Sequence, residues 1–199
     1  DPDIWYLLGV IIGDGWVSNN GYRISISFNS KETYLINRCK SIVESKLGRK
    51  FRKDKDRRTC LEYSFCCKGF NDYITTYFGT GTHNKHIDYT LKSIPYVLRK
   101  NFILGYIDTD GCITSNSVNL VSVSKRLLCD IQDWLFSLNI VSSIKLLRKE
   151  GTEIIRGKVR NTKDKYQLNI GTEGLNIIKE WGISSMKIDS YNITPISKE

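Results

Sequence analysis

The sequence predicts an α+β fold built from two similar halves, each running helix, hairpin, helix, hairpin, helix. Three observations carry this reading: a nine-residue pattern written twice, strand-like runs with one apolar and one polar face, and turn signals between the runs. The pattern Leu7-Leu8-Gly9-Val10-Ile11-Ile12-Gly13-Asp14-Gly15 is answered by Ile103-Leu104-Gly105-Tyr106-Ile107-Asp108-Thr109-Asp110-Gly111, 96 residues later in a chain of 199. The two halves are expected to span residues 1–94 and 95–199.

Each element follows from its residues. Gly9 and Gly13, like Gly105 and Thr109, are small residues four apart on one face of a predicted helix, so two such helices can approach closely. Gly15 and Gly111 are read as left-handed glycine caps that end those helices. After the first helix, Asn19-Asn20-Gly21 signals a tight turn before the alternating run Tyr22 to Phe28. In that run Ile24, Ile26 and Phe28 share one face, and Arg23, Ser25, Ser27 and Asn29 share the other. The second half repeats the alternation, with Val118, Leu120 and Ser122 inward and Asn119, Val121 and Val123 outward. Ile26 to Lys31 precedes a helical stretch through Leu47, as Leu120 to Lys125 precedes one through Leu138. The correspondence reaches the end of each half, where Tyr63 to Phe70 resembles Tyr166 to Leu175 and Lys85-His86-Ile87-Asp88 resembles Lys187-Ile188-Asp189. Pro95 marks the connection between halves, expected over Asp88 to Arg99. Sheets with one apolar face call for helices to cover it.

Composition narrows the function. Thirty Lys and Arg against 21 Asp and Glu give a net charge of +9, which draws a protein toward polyanions. The six cysteines form no C-x-x-C pair, which disfavours a structural zinc site and suggests thiols in a reducing compartment. No apolar run approaches the roughly 18 residues that cross a bilayer, so a soluble chain without leader or membrane partner is expected. Alanine is absent while Ile, Asn, Lys, Tyr and Ser abound, a bias of AT-rich coding sequences such as organelle or phage genomes. An organelle or a phage-infected bacterial cytoplasm is the corresponding location.

The repeated pattern also suggests chemistry. Asp14 and Asp110 fall at helix C-termini, where the helix dipole disfavours negative charge. If the two helices pack side by side, both carboxylates and several carbonyls meet, an oxygen-rich cluster suited to a hard divalent cation such as Mg²⁺ or Mn²⁺. Both nonapeptides resemble the LAGLIDADG motif, and each has Asp at the eighth position, the family's metal-binding acid. The sixth position is Ile12 in one and Asp108 in the other, so Asp108 is expected to have a structural or capping role.

Resemblance to single-chain LAGLIDADG homing endonucleases implies a monomer whose two motif helices form the interface between halves. Each half would lay a saddle-shaped antiparallel sheet in the major groove of double-stranded DNA. The implied reaction is metal-dependent hydrolysis of both strands across the minor groove, leaving short 3′ overhangs. Mg²⁺ would be the cofactor, with Mn²⁺ supporting cleavage and Ca²⁺ binding only. Asp14 and Asp110, with the carbonyls of Gly13 and Thr109, would hold metal. Lys85 and Lys187 match the family's basic residue near the scissile phosphate, the alternative being ordinary surface lysines. Ser30 and Ser124 stand where relatives carry a Gln, and Lys31 and Lys125 are expected on phosphates.

Charge is concentrated in the second hairpin of each half. Arg52, Lys53, Lys55 and Arg57 cluster in the first, and Lys145, Arg148, Arg156, Lys158 and Arg160 in the second. Strand alternation makes Arg23, Ser25, Ser27, Glu62, Ser64, Asn119, Gln167 and Asn169 the candidates for base contacts. Two competing readings are a non-cleaving nucleic-acid-binding protein on this scaffold, a splicing maturase with an RNA partner or a transcription factor, and a nuclease of another class. Only two histidines are present, too few for a His-Asn-His centre, and Glu44 of a nominal PD-(D/E)-x-K pattern falls in a predicted helix. Neither alternative nuclease explains the duplication.

Overall fold

The motif helices α1 (Pro2–Asp14) and α4 (Tyr96–Asp110) cross at the centre of the molecule, backbone against backbone. The structure is a computed structural model, and it describes residues 1–18, 21–155 and 157–190. The expected turn at Asn19-Asn20 therefore lies outside the described residues. Glycine is what allows the helices to meet. A Cβ on Gly9 would stand 2.0 Å from the Phe102 carbonyl oxygen, and one on Gly105 would stand 2.1 Å from that of Tyr6. Phe102 and Tyr6 are themselves 96 residues apart, so the contact obeys the same pseudo-two-fold relation as the sequence repeat. Gly13 completes the seam: its Cβ would clash with the Thr109 hydroxyl, which donates back to the carbonyls of Gly105 and Tyr106.

Each helix feeds a four-stranded antiparallel sheet. The first contains β1 (Gly15–Val17), β2 (Arg23–Asn29), β3 (Arg52–Arg57) and β4 (Cys60–Cys66), in the order β1-β2-β4-β3. The second contains β5 (Gly111–Ile113), β6 (Val118–Ser122), β7 (Ser142–Arg148) and β10 (Lys165–Ile170), in the equivalent order β5-β6-β10-β7. Between β7 and β10 the second half inserts a separate hairpin, β8 (Gly151–Ile155) with β9 (Lys158–Thr162). Helices α2 (Thr33–Lys46) and α5 (Lys125–Ser137) follow the first hairpins; α3 (Lys68–Phe78), α6 (Thr172–Lys179) and α7 (Met186–Asp189) close the halves. The expected connection over Asp88 to Arg99 is shorter than anticipated. A 3-10 turn at Tyr89–Ser93 fills most of it, and α4 begins directly after Pro95, whose fixed φ and missing N–H suit a helix start.

The apolar residues of both halves form one core. Trp5 and Phe78 from the first half pack with Phe102 and Trp134 from the second, at ring-centroid separations of 5.3–6.4 Å. The six cysteines are free thiols. Among the described residues, no helix is long and apolar enough to cross a membrane.

The glycines that follow the motif helices work differently from the expected caps. Gly15 (φ −99°) and Gly111 (φ −77°) are extended, the first residues of β1 and β5. Their requirement is steric: a Cβ would lie 2.6 Å from the Ile11 carbonyl oxygen and 2.4 Å from that of Ile107. The chain thus turns from helix into strand at the aspartate itself.

Candidate active site and nucleic-acid interface

At the ends of the crossed helices, Asp14, Asp110, Lys85 and Lys187 come together. Lys85 lies in the segment after α3, and its ammonium donates to the carbonyls of Ile12 (2.6 Å) and Gly13 (3.1 Å). Lys187 lies in α7 and donates to the carbonyls of Thr109 (2.5 Å) and Gly111 (2.7 Å). Each lysine therefore caps the motif helix of its own half, where the dipole favours a cation. Among the lysines, each acts more strongly on the other half's acid: Lys187 is the main charge lowering the Asp14 pKa, and Lys85 is the main cation opposing the rise of the Asp110 pKa.

Electrostatics distinguish the two acids. Burial, reinforced by the Asp14 charge, pushes the Asp110 carboxyl up to about 6 against the pull of both lysines. Asp14 is more accessible and moves in the same direction by desolvation. Burial lowers the pKa of Lys85, opposed by both carboxylates. The Tyr106 side chain lines the same cleft as Asp110, one helical turn away on α4, and is electrostatically coupled to it. Tyr106 lines the site, though the sequence reading did not single it out. Its signal was a hydroxyl-bearing side chain four residues before the acid, on the same helix face.

Asp110, Lys85, Gly13, Thr109 and Lys165 line an open cleft of about 440 Å³. The donors fit a hard divalent ion, being carboxylate and carbonyl oxygens only. Among the described residues, no cluster of three His, Cys, Asp or Glu side chains gathers anywhere. A cation held by Asp14 and Asp110 would complete its shell with water and phosphate oxygens, the habit of Mg²⁺. The Gly13 and Thr109 carbonyls expected to help are already engaged by lysine ammoniums.

Asp108 plays no part in the acid pair. It is buried on the opposite side of α4, accepting from Tyr6 Oη (2.6 Å), Ser185 Oγ (2.6 Å), and the amides of Met186 (3.2 Å) and Lys187 (3.0 Å). It thereby fixes the start of α7 and with it the Lys187 backbone. Helix α2 reaches over to the same segment: Arg38 lies over the Tyr6 ring (3.4 Å) and donates to the Ser184 carbonyl, and Tyr34 shares a hydrogen bond with Ser184 Oγ. In reciprocal fashion α5 holds the Lys85 segment, with Ser124 Oγ donating to the Lys85 carbonyl (2.5 Å) and Asp130 accepting from the Ile87 amide (2.8 Å). Each lysine is clasped by the second helix of the opposite half.

Register sorts the expected DNA-contacting residues. On the first sheet, Arg23, Ser25, Ser27, Arg52, Lys55, Arg57, Glu62 and Ser64 share the polar face. Ser25 and Ser64 are nevertheless buried, because they sit opposite one another at the middle of the sheet under longer neighbours. Lys53 lies on the other face, opposite Tyr63. A bulge at Asp54 separates it from Lys55 and releases the Asp54 carboxylate to pair with Arg23 at 2.6 Å. Lys53 pairs instead with Asp56. On the second sheet, Asn119, Lys145, Arg148, Gln167 and Asn169 share the polar face, and Asn119 Oδ1 accepts from both Gln167 and Asn169. Lys31 and Lys125 are exposed at the starts of α2 and α5, and Ser30 is half-buried beside Lys31. Ser124 is buried, its hydroxyl committed to Lys85 and to capping α5, so it cannot reach DNA. Lys158 and Arg160 belong to the inserted hairpin instead of the main sheet, and Arg156 lies outside the described residues.

Comparisons with known proteins agree with this architecture. Residues 98–176 match the LAGLIDADG-like domain family. The chain is 26% identical over 186 residues to the uncharacterized protein MJ0398 of Methanocaldococcus jannaschii, covering 85% of this chain and 61% of that protein. It is 30% identical over 206 residues to the probable translation initiation factor IF-2 of the same organism, covering 97% of this chain but only 16% of that protein. The chain thus spans less than two thirds of either relative. Among solved structures, the homing endonuclease I-DmoI shares the fold at a TM-score of 0.64 and 20% identity, over 93% of this chain and 91% of that one. I-DmoI has been solved with DNA and Mn or Ca. The N-terminal LAGLIDADG domain of DUF199/WhiA shares it at a TM-score of 0.54 and 16% identity, over 95% of this chain and 86% of that domain. With two motif helices packed through their glycines and a sheet carried by each half, the chain has the two-motif LAGLIDADG fold, and its residues 98–176 match the LAGLIDADG-like domain family.

Proposed function

We propose that this protein is a monomeric, site-specific endonuclease that hydrolyses both strands of a long double-stranded DNA site, in the manner of homing endonucleases. The observation that carries the reading is the pairing of Asp14 and Asp110 at the ends of crossed helices, each acid facing the lysine of the opposite half. In this role the two sheets bind the DNA, and the acids hold a divalent cation, Mg²⁺ in the cell. Such a cation polarises the scissile phosphate and lowers the pKa of an attacking water. Lys85 and Lys187 offset negative charge gathering at each phosphate, and their hold on the helix-end carbonyls fixes where that charge is delivered. The halves meet at a boundary near residue 94, one half per end of the DNA site. Fold likeness to I-DmoI, solved with DNA and divalent metals, supports the reading.

The test uses a genomic or randomised target library in Mg²⁺, with sequencing of the ends, followed by single-site assays. Asp14→Asn and Asp110→Asn are each expected to abolish linearisation of a supercoiled target while binding in Ca²⁺ persists. Full linearisation by either variant would remove these residues from the metal site. A second reading, a DNA-binding protein that does not cut, draws on the lysine ammoniums already seated on the Gly13 and Thr109 carbonyls. It predicts specific binding with no cleavage in Mg²⁺ or Mn²⁺.

A further inference from the structure

The acid and lysine are duplicated in the two halves, but the groups that hold them are not. From Asp110 a chain of polar contacts runs to Lys85 through Tyr106, Ser122 and Ser124. Tyr106, Ser122 and Asp110 line one cleft, and the Tyr106 hydroxyl is coupled to both the Asp110 carboxylate and the Ser122 hydroxyl. Ser122 Oγ in turn accepts from the Ser124 amide at 3.1 Å, and Ser124 Oγ donates to the Lys85 carbonyl. Lys85 closes the path with its ammonium on the end of α1. Tyr106 and Ser124 are buried, which shields these bonds from competing water.

The other half has no such path. By the sequence correspondence, Val10 replaces Tyr106 and Phe28 replaces Ser122, and neither offers a hydroxyl. Lys187 is held instead by the buried carboxylate of Asp108, at the position where the first half has Ile12.

We propose that Tyr106, Ser122 and Ser124 are positioning residues for one of the two strand cuts, because they fix the second half's acid relative to the first half's lysine. The proposal rests on the cleavage reading above. Its consequence is that the two nicking steps are separately tunable: disturbing this path slows the cut served by Asp110 and Lys85 and spares the one served by Asp14 and Lys187.

The test combines strand-resolved cleavage with a measurement that needs no cleavage. Ser124→Ala removes both the donor to Lys85 and the cap of α5. Ser124→Asp keeps a capping oxygen but cannot donate, and Ser124→Thr keeps both functions. Using target DNA labelled differently on each strand, single-turnover nicking of one strand is expected to fall about tenfold or more in Ser124→Ala, Ser124→Asp and Tyr106→Phe. The other strand and the affinity for target should change little, and Ser124→Thr should restore the slowed cut. In parallel, ¹⁵N-lysine spectra of the metal-free protein should show a slowly exchanging ammonium signal, assigned to Lys85 by its loss in Lys85→Arg. That signal should vanish in Ser124→Ala and Ser124→Asp and return in Ser124→Thr. Equal slowing of both strands, or a Lys85 signal indifferent to Ser124, overturns the proposal. If the wild-type protein cuts no DNA, the cleavage reading fails by itself, while the ammonium spectra still decide whether Ser124 positions Lys85.

Discussion

The two halves repeat their chemistry more faithfully than its support. Glycine at the seam, aspartate at the helix end and lysine on the helix-end carbonyls occur in both, at matching places. Around them the halves part: Ile12, Val10 and Phe28 in the first answer Asp108, Tyr106 and Ser122 in the second. Their outer faces differ as well, since the first sheet carries ion pairs such as Arg23 with Asp54 and Lys55 with Glu62, where the second carries a knot of neutral amides around Asn119. What backbone approach and the helix-end charges demand has stayed the same, and what surrounds them has diverged.

The strongest way to break this comparison is at the seam. Gly9→Ala and Gly105→Ala each drive a Cβ into a helix backbone that has no flexible end to move aside. Each should cost about 3 kcal/mol or more in urea denaturation, at the upper end of overpacking penalties. The two losses should be nearly equal, and a silent substitution at either site would show that the helices are not related by the pseudo-two-fold seen here. The next effect is one-sided. Asp108→Asn replaces a carboxylate that accepts four hydrogen bonds with a group having half the acceptor capacity, and a loss of about 2 kcal/mol is expected from the same measurement.

The acids give a smaller, pH-dependent contrast. The folded pKa of Asp110, about 6, lies above its unfolded value, so the metal-free fold favours the protonated form. This contribution is greatest below about pH 4 and fades as pH rises through 6. Asp110→Asn should therefore stabilise the metal-free protein at pH 7 by about 1–2 kcal/mol and by little at pH 4. Asp14→Asn should do the same more weakly, since Asp14 is the more accessible. Urea midpoints between pH 4 and 8 in EDTA check both, and a stability gain in Asp110→Asn that is independent of pH would locate its cause elsewhere. The smallest effects belong to the reading faces. Asn119→Ala and Arg23→Ala should each relax preference at particular base pairs by about 1–2 kcal/mol. Lys53→Ala, on the far face of its sheet, should leave both affinity and the steep salt dependence of binding nearly unchanged.

Much of this was legible in the sequence because repetition and alternation are local signals. The nonapeptides gave the crossed helices, and the period of two gave the polar faces carrying Arg23, Lys55, Asn119 and Gln167. What escaped depends on where the chain goes next. Gly15 and Gly111 looked like left-handed caps, since nothing local says that the following strand starts at once and that the crowding comes from Ile11 and Ile107. Lys53 was grouped with Arg52, Lys55 and Arg57 by charge alone, yet one bulged residue turns it to the other face, and Ser25 was expected to be open because alternation carries no information about the length of neighbouring side chains. Ser124 seemed to face a ligand, and it is the fold of the other half that claims its hydroxyl.

The crossed clasp, in which α2 grips the Lys187 segment and α5 grips the Lys85 segment, also bears on safety in the cell. A fragment from proteolysis that held only one half would present only one of the two polar sheet faces. It would lack the opposing acid and the helix that seats its own lysine, and its glycine seam would be bare. If the protein is the endonuclease proposed above, such a fragment would bind DNA without severing it. On the proposed function, cutting would need both halves closed on each other, so assembly itself would serve as the licence to cut.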